Sequence, residues 1–227
     1  MKKNATDSAS ALNILFIGNS FTARNNVPEL IAQMAAAQGR KLAHSLISAG
    51  GASLRMHWNK GEAQRVLAAT PFDFVVLQEQ STLPVKNATR MHENIRLFDD
   101  AIRSAGSKTV LYMTWSRQLE PQNQKLITDA YDAIGAELGA IVVPVGVAWQ
   151  QALAKHPDLN LYDKDGSHPS LAGSYLVACV FFSVLYKESP AGIDSELMGL
   201  SDSEAALLQS EAWHAASEQA ETAATTK

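Results

Sequence analysis

The chain has one cysteine among 227 residues, Cys179, so no intrachain disulfide is available to it. It has no basic excess either: 19 Lys and Arg against 23 Asp and Glu leave a net charge of −4 with neutral histidines. Nucleic acids and anionic membranes recruit clustered positive charge, and no basic stripe is present, so neither is expected as a partner. Long apolar runs are missing as well. The most apolar stretch, 174–186, carries Ser174, Ser183 and Tyr186 and is too short for a membrane span. It reads as a buried helix with Cys179 as a small hydrophobe inside it. The amino terminus, Met1 to Ala11, has two lysines but no apolar stretch behind them, so the sequence as it stands predicts a cytoplasmic location. A periplasmic or secreted one would follow if a signal peptide had been removed. His44, His57, His92, His156 and His214 fall at no ligand spacing and read as solvated or core residues, so neither a metal nor another cofactor is expected.

What is present is enough for one sizeable core. At 46% apolar content, the chain predicts a single domain over residues 12–220, between a flexible segment at 1–11 and a flexible tail at 221–227. Four apolar residues, Ile14 to Ile17, run into Gly18-Asn19-Ser20-Phe21-Thr22, which places Ser20 where a buried strand ends and the chain turns. A helix is expected from about Val27, with Asn26 as its N-cap and Pro28 in its first turn, stopped by Gly39. Further strands are expected at 41–48, 72–77, 109–115 and 140–145, and further helices at 62–69, 94–105, 126–138 and 147–155. After Ser170 comes the apolar helix, and Ser201-Asp202-Ser203-Glu204 opens a last one reaching about Ala220.

Five strands alternating with helices read as an α/β fold: a three-layer α/β/α sandwich around a five-stranded, mainly parallel sheet. Its strand ends bring Ser20, Gly50-Gly51, Gln78 to Gln80 and Trp115 to Arg117 to one edge, where open α/β sheets place their chemistry. The polar amides after the third strand either donate into that crevice or cap the next loop, and the sequence leaves both readings open.

A serine hydroxyl is a poor nucleophile unless a base takes its proton and an acid fixes the base. Asp165 and His168, three residues apart in Asp163-Lys164-Asp165-Gly166-Ser167-His168-Pro169, supply both within one loop. Gly18-Asn19-Ser20-Phe21-Thr22 lacks the second glycine of a G-x-S-x-G turn, which argues against the common α/β-hydrolase arrangement. At these blocks the sequence resembles the SGNH, or GDSL-like, hydrolase family over residues 12 to about 186. That family has an early Gly-Asp-Ser block and a late Asp-x-x-His block. The resemblance implies a flavodoxin-like SGNH hydrolase fold in a poorly characterised bacterial branch, with Ser20 as nucleophile, His168 as base and Asp165 as acid. It further implies an oxyanion hole from the N–H groups of Ser20 and Gly51 and a side-chain amide. The family's third block, Gly-x-Asn-Asp, is replaced here by Gln78-Glu79-Gln80-Ser81, so Gln80, or alternatively Gln78, stands where the Asn is expected. Asn19 replaces the family's Asp before the serine.

The expected activity is hydrolysis of a carboxylic ester with a small acyl group, such as an O-acetyl group on a carbohydrate. An O-acyltransferase would use the same triad, and a non-catalytic carbohydrate-binding module would use the same fold. The expected partner is therefore a small-molecule or carbohydrate ester, with Trp58, Trp115 and Arg117 as candidate pocket walls.

Overall fold

The computed structural model describes residues 11–193 and 199–225. Residues 1–10 and 226–227, which fall within the two segments expected to be flexible, lie outside the described residues. In chain order the elements are β1 (Leu12–Gly18), α1 (Ser20–Ala23), α2 (Val27–Ala37), β2 (Leu42–Ser48), α3 (Leu54–Lys60), α4 (Glu62–Ala69), β3 (Phe74–Leu77), α5 (Leu83–Lys86), α6 (Ala88–Ser104), β4 (Lys108–Tyr112), α7 (Gln124–Leu138), β5 (Ile141–Val143), α8 (Val145–Lys155), α9 (Leu171–Tyr186) and α10 (Asp202–Thr225).

All five strands pair in parallel in the order β2-β1-β3-β4-β5. Side chains alternate across a strand, and here both faces are buried. Ile14, Phe16, Val76, Val110, Tyr112 and Val143 join the core beneath α2, α8, α9 and α10. Their neighbours Leu15, Ile17, Val75, Leu77, Leu111 and Val142 join the opposite core, under α3, α4, α6 and α7. This explains why the strands read as unbroken apolar runs. Because the chain goes from β1 outward to β2 and then back across to β3, the order reverses between β1 and β3. Doubly wound sheets bind ligands at such a switch point.

Helix α9 is buried along most of its length, Cys179 included, and burial pushes that thiol's pKa well up. The close packing of α9 depends on Gly173: a Cβ there would lie 2.2 Å from the Leu161 carbonyl oxygen and 2.5 Å from the Trp149 ring.

Several boundaries differ from expectation for local reasons. Asn26 occupies the N-cap position of α2, but its side chain makes no capping bond, and both it and Asn25 adopt left-handed backbone (φ 52° each). Helix α3 was not expected, although Ser53 caps it through Met56 N–H and Gly61 (φ 71°) ends it. Helix α6 starts well before Asn94, at Ala88, where the Asn87 side chain accepts from Arg90 N–H. The last helix continues past Ala220 to Thr225.

Candidate active site

The turn after β1 is held by its own short side chains. The Asn19 Oδ1 accepts from Phe21 N–H (3.1 Å) and caps α1, which leaves Ser20 as the first helical residue, partly exposed at the sheet edge. The Asn19 amide also donates to the Ala52 carbonyl at 3.0 Å, tying this turn to the Gly50-Gly51 loop after β2. Gly18 is required by close packing: a Cβ would lie 2.7 Å from both Gln78 Oε1 and Thr22 Oγ1. On its far side, the buried His57 donates Nε2–H to the Gly18 carbonyl at 2.7 Å, and burial lowers the pKa of that imidazole. His57 is therefore a core residue that fixes the turn.

The late loop is folded by backbone bonds. Tyr162 and Pro169 form an antiparallel bridge, Asp163 N–H donates to the His168 carbonyl (2.8 Å), and Gly166 turns the chain at φ +65°. Within this turn Asp165 Oδ1 accepts from the N–H groups of Ser167 and His168 at 2.9 Å each, and its Oδ2 meets His168 Nδ1 at 2.5 Å. The bond from the imidazole, followed by that from the His168 N–H, holds the Asp165 carboxyl well below the usual carboxylate range. With Nδ1–H given to Asp165, Nε2 carries a lone pair, and it lies 2.8 Å from Ser20 Oγ. Asp163 points elsewhere: it pairs with Arg24 and accepts from Lys164 N–H.

An aromatic column supports this loop from behind. Phe21 stacks on Trp115 (4.9 Å), Trp115 on Trp149 (4.1 Å), and Trp149 meets Tyr162 edge-on (5.0 Å), while Phe21 also meets the His168 ring at 5.3 Å. The Trp115 indole donates to the Ser167 carbonyl at 3.0 Å. From the other flank, Gln118 N–H donates to Gly166 O, and the Asn25 amide reaches Pro169 O and Ser174 Oγ.

The two glutamines separate clearly. Gln78 is fully buried, and its Oε1 accepts from Asn19 N–H (2.9 Å) and Thr22 Oγ–H (3.1 Å), while its amide nitrogen donates to the Glu79 carbonyl. Its carbonyl oxygen and one of its two amide N–H groups are thus engaged, the oxygen tying the end of β3 to the β1 turn. Gln80 Oε1 accepts from Thr82 N–H (2.9 Å) and Thr82 Oγ–H (3.0 Å), which fixes the amide orientation and turns Nε2 away. Among the described residues no acceptor takes Gln80 Nε2–H, Ser20 N–H or Gly51 N–H, and Gly51 is exposed with φ +66°.

The residues expected as pocket walls divide as well. Trp58 is half-buried and packs edge-on to Phe98 at 5.2 Å against the core beneath α6. Trp115 is 2% exposed and serves chiefly as the support just described. Arg117 is exposed and lines a cavity of about 140 Å³ with Ser81, Thr82, Lys86, Trp115 and Ser116. A larger cavity of about 580 Å³, between α4 and α6 near Pro71, contains none of the site residues.

Glu79 was not expected as a functional residue. It is fully buried at the end of β3, where its Oε1 accepts from Leu54 N–H (3.0 Å) and Gln80 N–H (2.7 Å) and its Oε2 from the Asn94 amide (2.8 Å). Burial pushes its pKa up against the pull of these donors. An acid closing an apolar strand, with polar residues on both sides, was the available signal. Among the described residues no group of three or more His, Cys, Asp or Glu side chains comes together as a metal site, and no helix is long and apolar enough to cross a membrane.

No family model matches the sequence, and no curated protein matches it. Solved structures do. A candidate SGNH hydrolase from Slackia heliotrinireducens is 28% identical with a TM-score of 0.67, the match covering 77% of this chain and 99% of that one. A DUF4886 family protein from Bacteroides uniformis is 19% identical with a TM-score of 0.73 (90% and 94% covered). An acetyl-xylooligosaccharide esterase from a Geobacillus is 15% identical with a TM-score of 0.60 (86% and 97% covered), a likeness of fold. The parallel sheet and these matches show that the chain shares its fold with SGNH/GDSL-type hydrolases and is similar to a candidate member of that family.

Proposed function

We propose that the chain is a serine esterase that cleaves a small acyl ester, such as an O-acetyl group on a carbohydrate, through Ser20, His168 and Asp165. The observation that carries the reading is the continuous relay from Ser20 Oγ to His168 Nε2 (2.8 Å) and from His168 Nδ1 to Asp165 (2.5 Å). His168 takes the Ser20 proton as Oγ attacks the ester carbonyl, and Asp165 holds the imidazole in the competent tautomer and stabilises its cation. His168 then protonates the departing alcohol, and a water activated by the same imidazole releases the acid from Ser20. The N–H groups of Ser20 and Gly51 and the Gln80 amide hold the oxyanion, each donor being worth about 3 kcal/mol of transition-state binding.

Hydrolysis is favoured over acyl transfer because the relay is open to water: the His168 and Asp165 side chains are 25% and 49% exposed. The acetyl-xylooligosaccharide esterase among the structures of like fold agrees with an acetylated carbohydrate as substrate.

The test is turnover of p-nitrophenyl acetate and labelling by a fluorophosphonate. Wild-type protein is expected to do both, and Ser20→Ala neither. Equal labelling of Ser20→Ala, or no turnover and no labelling by the wild type, would overturn the reading.

A further inference from the structure

Three buried side chains lace the ends of β1, β2 and β3 together, one on each side of a triangle. Asn19 joins the β1 turn to the loop after β2 through the Ala52 carbonyl. Gln78 joins the end of β3 to the β1 turn through Asn19 N–H and Thr22. The third side is Glu79, whose Oε1 accepts at once from Leu54 N–H, behind the Gly50-Gly51 loop, and from Gln80 N–H, at the end of β3. Each corner of the triangle carries one donor of the oxyanion hole assigned above: Ser20, Gly51 and Gln80.

We propose that Glu79 is a positioning residue of this hole, which sets the distance between the Gly51 and Gln80 donors by holding both of their loops on one carboxylate oxygen. The proposal rests on the serine-esterase reading. A carboxylate suits this place because a single oxygen accepts two converging N–H groups while the other stays available to a third donor. Here that third donor is the Asn94 amide, whose own oxygen accepts from Arg55 Nε at 2.9 Å, so the carboxylate itself is fixed from behind. Donors that stabilise an oxyanion act only if they are already in place when charge develops, and a displacement of about 1 Å costs on the order of 100-fold. Glu79 touches neither the nucleophile nor its base, so its loss changes the hole and leaves the proton relay in place.

The experiment compares wild type, Glu79→Ala and Glu79→Gln in three measurements: ester kinetics, inhibition by a small alkylboronic acid, and amide hydrogen exchange. The boronic acid forms a tetrahedral adduct with the serine and thus reads the hole. In Glu79→Ala, kcat is expected to fall roughly 10- to 100-fold with KM within about threefold. Boronate affinity should fall by a similar factor, the pH profile should keep its shape, and exchange at Leu54 and Gln80 should rise. Glu79→Gln retains an oxygen for the same two N–H groups and should recover most of the loss. If Glu79→Ala does not fold, Glu79→Asp, retracted by one methylene, carries the same expectation. A folded Glu79→Ala with unchanged kcat and boronate affinity would overturn the proposal while leaving the esterase reading intact, as would unchanged exchange at both amides. A wild type without turnover or boronate binding would instead overturn the esterase reading, and this role for Glu79 with it.

Discussion

Replacing Asn19 by Asp would give the chain the Gly-Asp-Ser block of the SGNH family it resembles, and it should destabilise the protein. The Asn19 side chain is 2% exposed and uses both ends of its amide, accepting from Phe21 N–H and donating to the Ala52 carbonyl at 3.0 Å. A carboxylate keeps the first bond but sets a charged oxygen against the Ala52 carbonyl, leaving two buried acceptors face to face. Such a loss costs about 2 kcal/mol, taken from the range for an unsatisfied buried polar group. For a protein of this size that corresponds to roughly 4–8 °C in Tm. The cost should depend on pH. Burial beside a carbonyl raises the folded-state pKa of the introduced carboxyl above its unfolded value of about 3.9, so the folded protein binds the extra proton first. The penalty is therefore full at neutral pH and shrinks as pH falls through the folded pKa, because the protonated acid can donate to Ala52. The assay is thermal unfolding of wild type and Asn19→Asp at pH 7.5 and pH 5, read as the gap between them. Equal melting temperatures at pH 7.5, or a gap that does not change with pH, would refute the account of Asn19.

The acid of the relay can be tested by comparing Asp165→Ala with Asp163→Ala in kcat/KM. The first is expected to lose roughly 10³- to 10⁴-fold and the second less than about tenfold, since its pair with Arg24 is exposed on both sides. Because Asp165 titrates below the usual carboxylate range, its contribution to stability is complete above the unfolded value of about 3.9 and is lost only as pH falls toward the folded value. A loss of activity in mild acid therefore belongs to another group. Gln80→Ala should lower kcat by about 10²- to 10³-fold with little change in Tm. Gln78→Ala should lower Tm by several degrees, since it strands Asn19 N–H and Thr22 Oγ–H in the interior. Gly173→Ala should destabilise by about 2 kcal/mol or more, measured by urea unfolding, because the Leu161 carbonyl and the Trp149 ring occupy the space of a Cβ.

Much of the architecture was legible because buried parallel strands are apolar on both faces and leave unbroken runs such as Ile14 to Ile17. Ser20 and the Asp165–His168 pair could be read because a turn signal and a three-residue spacing are local facts. Gln78 and Gln80 could not be told apart, because they share a side of the chain and differ only in what reaches them from the β1 turn and from Thr82. The packing of Trp58 on Phe98 could not be read either, because the helix that carries it is short and lies between two stronger signals. Glu79 was passed over because a charge at a strand end ordinarily faces solvent, and only the convergence of Leu54, Gln80 and Asn94 makes its burial tolerable.

The bridge between Tyr162 and Pro169 closes Asp165 and His168 into one small hairpin, while Ser20 sits on a different strand end. The relay is thus divided at a single seam, between Ser20 Oγ and His168 Nε2. A shift of the hairpin as a body would carry both members together, weakening the seam without disturbing the pair. Substitutions in its side-chain supports, such as Trp115 or Asn25, should therefore act as a graded control on rate and leave the chemistry of the imidazole unaltered.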